Sequence, residues 1–194
     1  VKIKAQFAAY SVIDYPENFY SWDQTLDNMT YSDRSGSSYF NDMRKRRNKF
    51  KADLVVLVHS KTEYCGLGWY IPKPSKATAG LGFSEVSRDC VSNYSVAHEM
   101  GHNMGLDHDR YVVGKAPKRK YNFGYVILSK RIRDIMAYDN QCQNKGFSCQ
   151  RLNRFSTPKD EVQGVKFGIA KGKPGAAGAA RRLDETREAI ASYR

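Results

Sequence analysis

Residues 98–109 read His-Glu-Met-Gly-His-Asn-Met-Gly-Leu-Asp-His-Asp, and three of the chain's four histidines fall inside those twelve positions. Helical spacing begins near Asn93, a candidate N-cap, and Gly105 is a candidate stop. On such a helix His98 and His102 are four residues apart and project from one face, one turn above the other, so both imidazoles can reach a single metal ion. Glu99 lies about 100° round the helix from His98, where it can reach a water at the metal without becoming a ligand. Gly105 tolerates a left-handed backbone and can turn the chain so that His108 approaches from a third direction.

Three imidazoles are the ligand set of a zinc site that keeps one position open, whereas a structural zinc site is closed by a fourth protein ligand, usually Cys. One catalytic Zn2+ is therefore expected, with Glu99 as general base; calcium is not assigned. The chance-placement alternative has little weight, because H-E-x-x-H-x-x-G-x-x-H is far more specific than H-E-x-x-H alone. His59, the fourth histidine, ends a strand-like run and receives no role.

Elsewhere the pattern is that of an α/β chain. Val1 to Ile13 alternates apolar residues and predicts a strand. Helical spacing follows over 19–30 and 37–51. The run Asp53 to Val58 is continuously apolar and β-branched, as in a central strand covered on both faces. Gly66 to Ile71 and Gly80 to Val86 are shorter and contain glycine, which predicts strands near a sheet edge. Beyond Gly105 the chain is punctuated by Gly, Pro and Lys, Lys171 to Ala180 reads as a loop, and Arg181 to Tyr193 closes as a helix. One catalytic domain is expected, with an upper part at 1–105 and a lower part at 106–194.

The four cysteines, at 65, 90, 142 and 149, form no C-x-x-C pair, so two disulfides are expected. Cys65 with Cys90 and Cys142 with Cys149 is the favoured pairing of the three possible, because each closes a short loop. Disulfides place the chain outside the reducing cytosol, as a secreted protein. No apolar run reaches membrane-spanning length, and the N-terminus lacks a charged start followed by an apolar stretch, so any leader is expected to have been removed.

The formal charge of +12 favours acidic partners. Basic residues cluster at Arg44–Arg47, Lys115–Lys120 and Lys130–Arg133. No nucleic-acid-binding signature accompanies them, so polyanion binding around a structural or vestigial zinc site is the secondary reading and nucleic acid is not an expected partner. Oligomeric state is not readable.

His98, Glu99, His102, Gly105 and His108 together resemble the extended motif of the metzincin zinc endopeptidases, and Asp109 after the third histidine is similar to the adamalysin (reprolysin) branch. Ile135-Met136-Ala137-Tyr138 resembles the clan's Met turn. The stretches from Ala52, from Cys65 and from Arg154, with the final helix, make the chain similar to the bacterial peptidyl-Asp metallopeptidases. The resemblance implies a twisted, mostly parallel sheet, a zinc helix and an irregular C-terminal subdomain ending in a helix.

It also implies hydrolysis of internal bonds in protein or peptide substrates. Met136 would support the site without binding metal. Tyr138 is an oxyanion helper or, more simply, a packed tyrosine of the turn, and Asp109 an outer support. Gly66, Leu67, Gly68 and Trp69 resemble the edge strand that holds extended peptide. Metzincins usually carry a strand and a long helix before the strand placed at 1–13; this sequence is expected to be too short at its N-terminus for them, either because it is a trimmed form or because the early elements are assigned differently. The cations Lys130, Arg133, Arg151 and Arg154 fall where the resemblance places the pocket for the residue after the scissile bond. Their density suggests cleavage before Asp; a hydrophobic pocket selecting Leu or Phe is the competing expectation.

Overall fold

The computed structural model describes residues 3–114, 117 and 120–194. They divide into two compact units, one of residues up to Met104 with Arg187–Arg194, the other Gly105–Thr186.

In the first unit Ser21 opens helix α1 (Trp22–Thr30) through a capping box: its hydroxyl accepts from Gln24 N–H at 3.2 Å, and Gln24 Oε1 accepts from Ser21 N–H at 2.9 Å. Helix α2 (Asn41–Lys49) follows a single 3-10 turn and buries Met43 and Arg47. The core joins Tyr15, Leu26, Met29, Phe40, Met43 and Phe83. Arg47 enters it because its guanidinium donates to the carbonyls of Ala52, Asp53 and Ala79 and lies 4.5 Å over the Phe83 ring; burial nonetheless pushes its pKa down to about 10.

Strands β1 (Val55–His59), β2 (Gly66–Gly68) and β3 (Phe83–Ser87) form a sheet in the order β1-β3-β2, with β1 parallel and β2 antiparallel to β3. The sheet is thus mixed and not mostly parallel. The strand expected to be central, β1, lies at an edge with Val58 48% exposed, while β3, expected near an edge, is buried along its whole length. An apolar run reports how much surface a strand can bury, not how many neighbours it has. Of the polar residues of β3, Glu85 is met across the β1–β3 pair, its Oε2 2.9 Å from His59 Nε2.

The expected strand at 1–13 is not formed: residues 3–13 have no regular structure, and Phe7, Tyr10 and Val12 are exposed. Alternation supplies a two-faced strand, but a strand also needs a backbone partner, and among the described residues this segment pairs with none.

Helix α3 (Ser95–Asn103) starts after Tyr94, whose backbone is left-handed (φ 61°), so the expected cap at Asn93 is displaced by one residue and no side chain caps the end. Its other end is pinned by Asn103, whose amide donates to the carbonyls of Trp69 at 2.9 Å and Phe83 at 3.2 Å. Cys65 is bonded to Cys90.

The second unit is built of short pieces: α4 (Arg110–Val113), β4 (Val126–Ile127), β5 (Ile132–Arg133), α5 (Asn140–Gln143), β6 (Gln150–Arg151), the antiparallel pair β7 (Thr157–Val162) and β8 (Val165–Phe167), and the start of α6 (Ala179–Ala191). Strands pair in the order β4-β5-β6 over a small core of Ile127, Ile132 and Phe167. With so little ladder, side chains take over backbone pairing. The buried Ser156 donates to Phe123 O and accepts from Ala179 N–H, and Cys142 is bonded to Cys149. Both disulfides are those expected. Among the described residues no helix is long and apolar enough to cross a membrane.

Candidate metal centre

In α3 the spacing of four brings Nε2 of His98 and Nε2 of His102 to 3.2 Å, with both residues buried. Glu99 is buried beside them and lies against β2: a Cβ on Gly66 would overlap its carboxylate, and one on Gly68 would stand 3.1 Å from Oε2. The two glycines of Gly66-Leu67-Gly68 are therefore the room in which this carboxylate sits, a role that sequence reading had not assigned. The sheet order leaves β2 at an edge. Trp69 continues it, tied by its indole N–H to Thr30 Oγ1 at 2.8 Å.

Gly105 takes the left-handed turn expected of it (φ 89°), and its carbonyl accepts from Asn122 Nδ2 at 2.8 Å. Asp107 N–H donates to Asn122 O, so the stretch leading to His108 is held beside 122–124. The His108 ring lies 4.3 Å from that of Tyr138. Asp109 joins the two locally: Oδ1 accepts from Tyr111 and Val112 N–H at the start of α4, and Oδ2 accepts from Tyr138 N–H at 2.9 Å. Met136 is wholly buried.

His98 and His102 each turn one ring nitrogen toward the other from adjacent turns of α3. Two nitrogens each about 2.0–2.1 Å from a tetrahedral ion stand about 3.3 Å apart. The 3.2 Å between His98 and His102 matches that spacing. The donor set therefore fits a metal ion of zinc's preference.

The model of metallo-peptidase family M12 matches residues 1–148. The chain belongs to this family. Two relatives match the whole M12 chain: a peptidyl-Asp metalloendopeptidase of Stenotrophomonas maltophilia (strain R551-3), 34% identical with 43% of the relative covered, and one of Xanthomonas campestris pv. campestris, 32% identical with 42% covered. The chain thus spans about two fifths of their length. A solved chain described as belonging to a chaperone-substrate complex covers 79% of the M12 chain and 22% of its own length, at a TM-score of 0.54 and 19% identity, a likeness of fold alone.

The four candidate pocket cations of the M12 chain separate. Arg133 is largely buried, and its guanidinium donates to Cys149 O at 3.1 Å and Ala137 O at 2.6 Å. Arg151 is half-buried in β6, in register with Arg133. Lys130 is exposed in a 3-10 turn, and Arg154 is exposed while its carbonyl accepts from Ile135 N–H at 3.0 Å, immediately before Met136. In the basic cluster at 115–120, Lys115, Lys118 and Arg119 lie outside the described residues.

Asp134 was missed by sequence reading. Its carboxylate is fully buried, with Oδ1 accepting from Tyr125 N–H and Ala137 N–H and Oδ2 from Ser156 N–H. Burial raises its pKa to about 6 against the pull of those donors. One signal was available: an acid directly before the apolar Ile135-Met136-Ala137 is buried only where donors await it.

Proposed function

We propose that this chain is the catalytic part of a secreted zinc-dependent endopeptidase that hydrolyses internal peptide bonds. The observation that carries the reading is the pair of buried imidazoles, His98 and His102, with ring nitrogens 3.2 Å apart and the buried Glu99 one residue along from the first, in a member of family M12. His98, His102 and His108 would hold the ion. Bound zinc supplies Lewis-acid polarisation of the scissile carbonyl and lowers the pKa of water to about 7. Glu99 takes the proton of the attacking water on a carboxylate oxygen and returns it to the leaving amine.

The residues of β2, at a sheet edge, bind an extended substrate by main-chain hydrogen bonds, which give affinity without reading sequence. The chain would form one catalytic domain whose first part runs to Met104 and includes Arg187–Arg194, with Gly105–Thr186 as the second part. Tyr138, its ring 4.3 Å from that of His108 and 37% exposed, would serve as a support of the turn. Two disulfides support a location outside the cytosol.

Preference for Asp after the scissile bond is supported by the names of the relatives and by an exposed guanidinium, Arg154, next to the Met136 turn. The polyanion-binding reading is weakened by the use of its strongest cluster in the fold. Arg44 donates to Asn28 O and Ser37 O, Arg46 to Tyr10 O, and Arg47 is buried.

Digestion of a protein mixture with and without a chelator, read by mass spectrometry, tests activity, metal dependence and selectivity together. Cleavage enriched before Asp and lost with chelator or in Glu99→Ala is the expected result. Full activity in Glu99→Ala that still binds zinc would overturn the mechanism. Sites without acidic enrichment would overturn the selectivity alone.

A further inference from the structure

The two peptide links that follow Met136 are held by side chains at three points. Ala137 N–H donates to Asp134 Oδ1 at 2.9 Å, Ala137 O accepts from Arg133 Nη1 at 2.6 Å, and Tyr138 N–H donates to Asp109 Oδ2 at 2.9 Å. The turn's own backbone bond, Ala137 N–H to Asp134 O, is long at 3.4 Å. Side chains and not the main chain therefore define where Ala137 and Tyr138 lie. Asp134 reaches two further segments through Tyr125 and Ser156 N–H, and the Arg133 fork reaches the disulfide loop through Cys149 O.

Burying a carboxylate and a guanidinium at consecutive positions costs several kcal/mol per ion before compensation. A core of small apolar residues would fill the same space. Here the hydrogen bonds of the two groups end on the main chain of the turn or of segments beside it, and so specify one arrangement of that turn. The Tyr138 ring, at the end of the clamped peptide, lies against the His108 imidazole at 4.3 Å.

We propose that Arg133 and Asp134 are positioning residues for the metal centre, which grip the Ala137 peptide from its C=O and N–H sides and thereby hold Tyr138 against His108. The inference rests on the zinc reading above. It gives Arg133 a task other than meeting a substrate carboxylate. Groups that orient a ligating histidine typically change metal affinity or activity by about 10- to 100-fold when removed.

The test is zinc affinity by competition with a chromophoric chelator, measured on the unaltered chain and on His108→Ala, Asp134→Ala, Asp134→Asn and Arg133→Lys, with thermal unfolding of each metal-free form. Asp134→Ala and Arg133→Lys should weaken zinc binding by about 10- to 100-fold and lower kcat in parallel, with KM changed less than about twofold. Asp134→Asn, which keeps an oxygen for Ala137 N–H, should recover most of the affinity. A lysine reaches one of the two carbonyls but not both, so Arg133→Lys carries the test if Asp134→Ala does not fold.

Unchanged zinc affinity in these variants, alongside a lower metal-free unfolding temperature, would overturn the inference and leave the two residues a role in stability only. Failure of the unaltered chain to bind zinc, or binding indifferent to His108→Ala, would overturn the zinc reading itself.

Discussion

Gly66 stands against Glu99 so closely that a single added methyl group would occupy the position of its carboxylate. Gly66→Ala must displace either β2 or the carboxylate. A shift of about 1 Å in a reacting group can cost about 10²-fold in rate. Gly66→Ala is therefore expected to lower kcat/KM by about that factor while still binding one zinc, as read by peptide hydrolysis alongside metal analysis. An active variant would place Glu99 outside the proton-transfer step.

On the proposed reading zinc would bind the folded chain through residues that converge only on folding, so it should raise the unfolding temperature. At a thousand times the dissociation constant the stabilisation is about 4 kcal/mol. Melting curves with and without zinc should show the shift in the unaltered chain and lose most of it in His102→Ala, whose imidazole is one of the two that stand 3.2 Å apart.

His59, given no role from sequence, carries a structural one. Its Nδ1 accepts from Lys61 N–H at 3.2 Å, which leaves Nε2–H to donate to the buried Glu85 carboxylate at 2.9 Å. Burial pushes the Glu85 pKa up and the histidine pulls it back. His59→Ala should cost about 3 kcal/mol in a urea titration, because a buried carboxylate loses its donor. Glu85→Gln, which can still accept from Nε2–H without a buried charge, should fall within about 1 kcal/mol of the unaltered chain.

Asp134 sets a pH dependence. Its folded pKa, about 6, lies above the ordinary value of 3.8 because burial disfavours the charged form. Protonation therefore favours the folded state: the contribution is full below about pH 4 and is lost as pH rises through 6, a change of roughly 3 kcal/mol. Denaturant titrations of the metal-free chain between pH 4 and 7 should show that slope, and Asp134→Asn should remove it.

The two disulfides should differ in worth. Cys65 and Cys90 are 25 residues apart, Cys142 and Cys149 only 7. By loop-closure entropy the first stabilises by about 3.5 kcal/mol and the second by about 2.5 kcal/mol. Paired Cys→Ala variants, compared in denaturant, check the order.

The proposed centre could be named as a candidate from the sequence because its spacing is local. A separation of four places His98 and His102 on one face of any α-helix, and Gly105 can turn the chain before His108 in whatever fold contains it. The cysteine pairs and the helices at 22–30, 41–49 and 179–191 were readable for the same reason, each resting on neighbours a few turns or one loop away.

Tertiary structure alone decided the rest. Which strand is central depends on pairings such as Leu57 with Glu85, and the strand expected at 1–13 failed because alternation within a segment says nothing about a partner edge. Gly66 acquires its meaning from Glu99, 33 positions on, and Asp134 from Tyr125 and Ser156 on either side of it in the chain. Helical period and turn chemistry act over a few residues and are written in the sequence itself. Burial of a charge beside its donors is a property of the packed chain, and it exists only once distant segments have met.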